Sequence, residues 1–382
     1  MTYLKAFFSW FFDRERYSDF IFSALVFAAC AALYVLPSGF ENRVSTNSSH
    51  ADGVVISADN SLVRTFGLVK SGSQTVQLSI QDGRYAGKTL EASNYLVGKM
   101  ELDRLFKLGD RALVTITEVD GRITDVRASD YQRLTIEKVL LWTFALLLLI
   151  YGGFTGFKAL LSFVFSALAL WKLLFPSLLK GYDPIAVALL LTLALSIVII
   201  YLVAGISRRG HVALAGTLMG LVLTWGIAEL FGEPFRINGA VRPFAETLLY
   251  SGFPNLNLRR VFLASVFLAS SGAVMDLSMD ISTAMEEIRR HQPSLTRWQL
   301  LRSGLHVGRA VIGTMTTTLL LAYSGSTITM IMTFIAQGVP LPVILNNSHV
   351  SSEIFHTVAG SLGLVAVAPL TAFASALSLP RR

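Results

Sequence analysis

Ser270-Ser271-Gly272-Ala273-Val274-Met275-Asp276-Leu277-Ser278-Met279-Asp280-Ile281-Ser282-Thr283-Ala284-Met285-Glu286-Glu287 runs through and beyond an apolar segment near 260–283. Asp276 and Asp280 stand four apart, so a helix stacks them on one face, and Thr283 and Glu287 continue that face. Ala273, Leu277 and Ile281 occupy another face and suit lipid or helix packing. An ionisable group near mid-bilayer costs at least ~2.5–3.5 kcal/mol. In a membrane span these carboxylates must therefore meet protein, a water-filled cavity or a cationic partner. Such a segment belongs in a helix bundle.

The rest of the chain agrees with a membrane class. Of its 382 residues 53% are hydrophobic and only 15% charged, against roughly 25% charged in soluble domains. Charges thin out over 139–379 and are ordinary over 41–138, which separates a membrane region from a watery one. A net charge of +7 in such a chain reads as positive-inside bias rather than nucleic-acid binding. The single cysteine, Cys30, excludes an intramolecular disulfide and a Cys-rich metal site.

A hydrocarbon core of ~30 Å needs about 20 apolar residues per helix. That ruler gives eight spans, near 19–37, 137–156, 158–176, 184–205, 211–231, 260–283, 304–336 and 351–378. The first follows Lys5, Arg14 and Arg16 and ends in Tyr34-Val35-Leu36-Pro37, a poor cleavage site, so it reads as a retained anchor. The seventh is too long for one plain helix, and Tyr323-Ser324-Gly325-Ser326 marks a break in it. The loop charges favour both termini in the cytoplasm: Lys158, Arg208, Arg209, Arg289, Arg290, Arg302, Arg381 and Arg382 fall inside. Lys180, Arg236, Arg242, Arg259 and Arg260 fall outside and weaken the bias. The expected location is the cell membrane, with the lipid bilayer as first partner.

The fold class is thus mainly α, a polytopic helical membrane protein, with a small β-rich extracytoplasmic domain between the first and second helices. The boundaries are 1–37 for the N-terminus and first helix, 38–134 for the β domain and 135–382 for a seven-helix membrane domain. Thr75-Val76-Gln77-Leu78-Ser79-Ile80 and Ala112-Leu113-Val114-Thr115-Ile116 alternate as strands. Asp82-Gly83, Gly109-Asp110 and Asp120-Gly121 punctuate them as turns. A five-stranded barrel of the oligonucleotide-binding type is one solution, serving either a ligand or as a structural cap. Residues 232–258 form a second outer stretch, in which Pro234, Gly239, Pro243 and Pro254 exclude one long helix. Phe244 to Tyr250 reads as a short interfacial helix.

Further polar residues lie in the spans. Arg302, His306 and Arg309 share a face of the seventh, and pairing Arg309 with Asp276 or Asp280 would offset the cost of both. The eighth is preceded by Asn346 and carries Glu353 and His356 three apart, a ligand spacing in helical bundles. Together with the aspartates they offer a divalent cation a donor set, against a plain helix cap as the other reading. No other cofactor is expected. Gly304 with Gly308, and Gly216 with Gly220, are small-xxx-small pairs, joined by Gly360 and Gly363. Gly308, Gly313 and the threonines from Thr314 to Thr318 give the seventh span a small polar stripe, and Gly325 sits at its break.

Several of these stretches resemble the YibE/F family of bacterial multi-spanning membrane proteins. They are Gly272-Ala273-Val274-Met275-Asp276 with Glu287, Gly304 through Gly308-Arg309, and Ile312-Gly313-Thr314-Met315. Leu320-Leu321-Ala322-Tyr323-Ser324-Gly325, Gly360-Ser361-Leu362-Gly363-Leu364-Val365, the turn Lys180-Gly181-Tyr182-Asp183-Pro184 and the β-rich insert after the first span are similar too, so that the resemblance covers nearly the whole chain. The chain departs from the family pattern at Ala310, Thr317 and Ser348. The resemblance implies a membrane permease and names no substrate.

Three functions compete. A transporter would use Asp276, Asp280, Thr283, Glu287, His306, Arg309, Asn346, Glu353 and His356 as its polar pathway. An assembly or signalling component would use the β domain to meet a partner, as a homo-oligomer or with another membrane protein. A magnesium-dependent membrane enzyme would use the aspartate pair on a diphosphate. No facing acidic cluster, His-Glu-x-x-His or Gly-x-Ser-x-Gly accompanies that pair, so no catalytic residue is expected.

Overall fold

The computed structural model describes residues 14–43 and 47–378, so Lys5, Arg381 and Arg382 lie outside the described residues. The chain divides into two compact units, Gly39–Leu147 and the pair of stretches Met1–Ser38 with Leu148–Arg382.

The first unit is a β-barrel built from β1 (Ser48–Asp59), β2 (Val63–Phe66), β3 (Val69–Ile80), β4 (Thr89–Val97), β5 (Arg111–Val119) and β6 (Arg122–Tyr131). Strand β1 pairs along one half with β5 and along the other with β3, which closes the sheet. Gly53 takes part in both pairings, where an added Cβ would stand 3.0 Å from Val114 Cγ2 and 3.3 Å from Leu78 Cβ. The period-two pattern works as expected: Val76, Leu78 and Ile80 from β3 and Ala112, Val114 and Ile116 from β5 point inward and are buried. Asp120 and Gly121 both have positive φ, the requirement of a type I′ hairpin between right-twisted strands.

One end of the barrel core is polar and fully paired. Gln74, wholly buried, donates to Asn60 Oδ1 at 2.7 Å and to the Phe106 carbonyl at 2.8 Å. Its own oxygen accepts from the Phe106 amide at 3.0 Å and from Asn94 at 2.9 Å. Beside the last strand, Asp130 accepts from Arg104 and Arg133, both at 2.9 Å, and from its neighbour's amide on Tyr131 at 2.7 Å.

The second unit is helical. It contains α1 (Arg14–Val35), most of α2 (Leu134–Ala169), α3 (Phe175–Leu179), α4 (Pro184–Ala204), α5 (Arg208–Gly232), α6 (Ala245–Tyr250) and α7 (Leu258–His291). These are followed by α8 (Arg297–Ser324), α9 (Ile328–Ala336), α10 (Leu341–Asn346) and α11 (Ser348–Ser378). Among the described residues seven helical stretches are long and apolar enough to cross a membrane. Eight segments were expected; those near 137–156 and 158–176 fall in one 46-residue stretch, Leu134–Leu179. That stretch is interrupted at Gly153, whose φ of 52° and ψ of −126° are not helical. A Cβ on Gly156 would overlap the carbonyl of Leu148, eight residues earlier. In a straight helix those residues stand about 12 Å apart along the axis, so the chain turns back on itself there.

Helix starts follow their caps. Asp183 accepts from the Ala186 amide, Ser207 from Gly210 and Asn257 from Arg260, and Thr296 with Gln299 forms a capping box at α8. The long seventh segment breaks into α8 and α9 at a 3-10 turn, Gly325–Thr327. Phe244 precedes the short helix α6, which leaves no residue buried.

Helix α11 lies at the centre, packed on α5, α7 and α8 through small residues. Added Cβ atoms would overlap Thr371 from Gly216, Thr224 from Gly363 and Met285 from Gly304. They would come within 2.8 Å of Val367 from Gly220, 3.0 Å of Ala368 from Gly308 and 3.2 Å of Ser270 from Gly360. Gly313 and Gly325 have nothing within 4 Å. Leu277, Ile281, Met285, Leu364 and Val367 fill the shared core.

Two outcomes are expected. Gly363→Val should lower the thermal midpoint of the detergent-solubilised protein, by overpacking worth about 1–3 kcal/mol or more, whereas Gly313→Ala should leave it unchanged. The Arg133 hydrogen bond, with the Tyr131 amide and Arg104, holds the Asp130 carboxyl at about 2 against an ordinary 3.8. A depressed folded-state pKa stabilises above the unfolded value and loses that contribution as pH falls through the folded one. Barrel stability, followed by hydrogen exchange, should therefore drop between about pH 4 and pH 2, and Asp130→Asn should abolish that part of the drop.

Candidate functional site

Sequence spacing puts Glu353 and His356 on one face of α11, and the structure buries both, at 8% and 5% exposure. Their partner comes from the loop between α5 and α7. Arg242 Nη1 donates to Glu353 Oε2 at 2.9 Å, and Nη2 donates to His356 Nδ1 at 2.9 Å. The same guanidinium lies 5.7 Å from the Phe262 ring centre on α7, an added cation–π contact.

The loop is shaped to deliver this arginine. Arg236 and Phe244 hold positive φ, and Gly239 at φ 82° passes so close to the Leu258 backbone that a Cβ would overlap it. His349 Nδ1 donates to the Val241 carbonyl at 2.9 Å and ties the loop to the first turn of α11. Asn347 accepts from the His349 amide at 3.0 Å, which is the helix-cap role.

Tyr323 completes the cluster. It sits at the end of α8, just before the break, and its ring stacks on His356 at 4.4 Å between centres with 17° between planes. Because Nδ1 of His356 accepts from Arg242, the proton of the neutral ring belongs on Nε2. That Nε2 and the Tyr323 hydroxyl are buried and have no hydrogen-bond partner among the described residues. The set therefore holds one compensated ion pair and two buried side-chain groups without a hydrogen-bond partner among the described residues.

The other expected residues lie elsewhere. Asp276, Asp280, Thr283 and Glu287 share the expected face of α7, but that face is exposed, opposite the buried Leu277, Ser278 and Ile281. Arg302, His306 and Arg309 lie likewise on the exposed face of α8, opposite Gly304 and Gly308. No ion pair joins Arg309 to Asp276 or Asp280, and all three side chains are exposed. Asn346 is exposed at the end of α10. The divalent-cation set is not assembled. Among the described residues no three His, Cys, Asp or Glu side chains gather, and a permanently charged guanidinium already occupies Glu353 and His356.

The helical part carries the recognisable signature. A model of the family described as YibE/F-like protein matches residues 140–381. The chain belongs to the YibE/F-like family. In this YibE/F-like chain the match takes in most of α2 and all of α3 to α11, with the Arg242 cluster, and begins beyond the barrel strands. No curated protein and no solved structure matches the chain.

Sequence reasoning missed Arg242 and Tyr323. Arg242 had one signal, an arginine placed against the charge bias in an outer loop. Tyr323 stood out only as the start of the expected break and as part of a family-like stretch, not as a site residue.

The pair can be tested by a double-mutant cycle. Arg242→Met leaves Glu353 buried without its cation and should cost ~3 kcal/mol or more of stability, with Glu353→Met costing a similar amount alone. The double variant should recover much of either loss, read as thermal midpoints in one detergent.

Proposed function

We propose that this chain is a multi-pass protein of the cell membrane that moves a small solute or ion, with Arg242, Glu353, His356 and Tyr323 as its coupling site. Seven long apolar helical stretches support the membrane reading, and the interruption at Gly153 divides one of them into two passes, for eight in all. With both termini in the cytoplasm, the barrel faces outward.

The observation that carries the transport reading is the Arg242–Glu353–His356 set, packed under a tyrosine from an interrupted helix. Charge beside an interrupted helix is a recurring feature of substrate and coupling-ion sites, and here it lies in the first turns of α11, beside the loop that carries Arg242. A purely structural ion pair has no need of an imidazole whose outer nitrogen is buried and unpartnered. The chemistry is an exchange of partners. Protonation of Glu353, or arrival of a solute oxyanion, releases Arg242 from its carboxylate. The His356 Nε2–H and the Tyr323 hydroxyl then supply donors to whatever Arg242 meets next. We place the site here rather than at Asp276, Asp280 and Arg309, which are exposed and form no ion pair across the two helices. The proposal includes no catalytic step.

A second reading has its own support. Strand β2 ends the sheet order and leaves one edge unpaired, with Phe66 and Leu68 exposed beside it. Leaving β2 aside, the order β1-β3-β4-β6-β5 with a parallel β4–β6 contact is that of the oligonucleotide-binding barrel, a frequent binding module. An assembly component would use that edge to add a partner's strand.

Solute uptake by reconstituted vesicles, screened with a pH-gradient readout, separates the two. Flux that falls at least about tenfold in Glu353→Gln and in Arg242→Lys, with insertion unchanged, supports the transporter. Flux unaltered by both substitutions rejects this site. A stable co-purifying partner with no solute movement favours assembly.

A further inference from the structure

The exposed faces of α7 and α8 remain after the site is assigned. Each carries charge along a surface that the membrane reading turns towards lipid. Asp276, Asp280 and Glu287 line α7, and Arg302, His306 and Arg309 line α8. The aspartates and the three basic residues make no hydrogen bond or ion pair among the described residues, while Glu287 holds Arg290 at 2.9 Å near the helix end.

Their depths match. Gly304 packs on Met285, and an added Cβ on Gly308 would lie 3.4 Å from Ile281 Cδ1, which sets the register of the two antiparallel helices. Counted outward from those contacts, Arg309 stands level with Asp280, His306 with Thr283 and Arg302 with Glu287. Acid and base thus run at equal depths on neighbouring helices without touching within the chain.

We infer that this face binds a second copy of the chain, in a two-fold dimer whose axis runs along the membrane normal. Such an axis preserves depth. It carries α8 of one copy against α7 of the other with Arg309 facing Asp280, and the same contact repeats on the far side. Bare carboxylates and guanidinium groups are both costly in hydrocarbon, so the monomer surface is unfavourable and the pairing relieves both. Gly313, level with Asp276, and Thr317 on the same α8 face let the backbones approach closely. Lipid would satisfy neither charge. A partner of different sequence would need its own matching strips, which this chain already supplies to itself.

The inference rests on the membrane reading and is independent of the transport site. It is tested in native membranes carrying the full chain with Cys30→Ser, Thr283→Cys and His306→Cys. Oxidation should give a disulfide-linked dimer. Adding Asp280→Arg, or Arg309→Asp, should reduce the dimer band at least about tenfold, since like charges then face each other. The exchange of both charges together should restore it, which a misfolded variant would not do. Retained but uncrosslinked chain, a band indifferent to the reversals, or a different protein crosslinked in place of the second copy overturns the interface alone. Release of the chain from membranes by alkaline carbonate overturns the membrane reading as well.

Discussion

Close backbone approach along α11 is the constraint on which the helical unit depends. In the bilayer proposed for this unit, burial of apolar surface adds little to helix association, and van der Waals contact over small residues must supply it. Gly360 and Gly363 let Ser270 and Thr224 reach that helix, and Gly216, Gly220 and Gly308 let Thr371, Val367 and Ala368 reach out from it. Ser278 and Thr371 share a buried hydrogen bond at 3.2 Å across the same seam. Glu353 and His356 belong to this central helix, so the position of the ionic set is inherited from the tightest packing in the protein.

Charges in the helical unit obey a second rule, that burial requires a partner. Lys158, 7% exposed, holds Asp19 at 3.0 Å. Arg260 holds Asp183 at 2.7 Å ahead of α4. Burial alone would raise the Asp183 pKa; the Ala186 amide and the Arg260 guanidinium outweigh it and keep the carboxyl below the ordinary value. Arg242 and Arg260 had counted against the orientation bias when each cation was weighed equally. Both are engaged by carboxylates of the chain, so they act as structural ties more than as topological signals.

What was legible follows from the range of the interaction involved. Period-two alternation identified the strands around Val76 and Val114 because inward and outward positions are set by the pleat alone. The small-residue pairs and the break near Gly325 were legible for the same local reason. Helical spacing also grouped Asp276 with Asp280 and Glu353 with His356 correctly. It could not say which of those faces is packed, because that depends on the neighbouring helices. Hence the carboxylates expected to meet Arg309 lie on an open face, while the weaker Glu-x-x-His signal proved buried. Its true partner, Arg242, is 111 residues away in sequence, beyond any periodicity.

The barrel and the helical unit also differ in what they need from their surroundings. Strand β1 closes the sheet on itself, the core from Ala51 to Ala128 belongs wholly to the barrel, and Gln74, Asn94 and Phe106 satisfy one another inside it. Its apolar core and its buried polar groups are thus completed within the unit itself. The family match starts at residue 140, past the last strand, which is the pattern of a self-sufficient module beside a helical core that carries the family's signature. The helical unit has the opposite character. Its ionic set is buried and paired, yet the α7 and α8 faces carry charge that the chain alone leaves uncompensated. A bundle completed by something outside the single chain accounts for both observations, whereas a self-contained eight-pass monomer accounts only for the first.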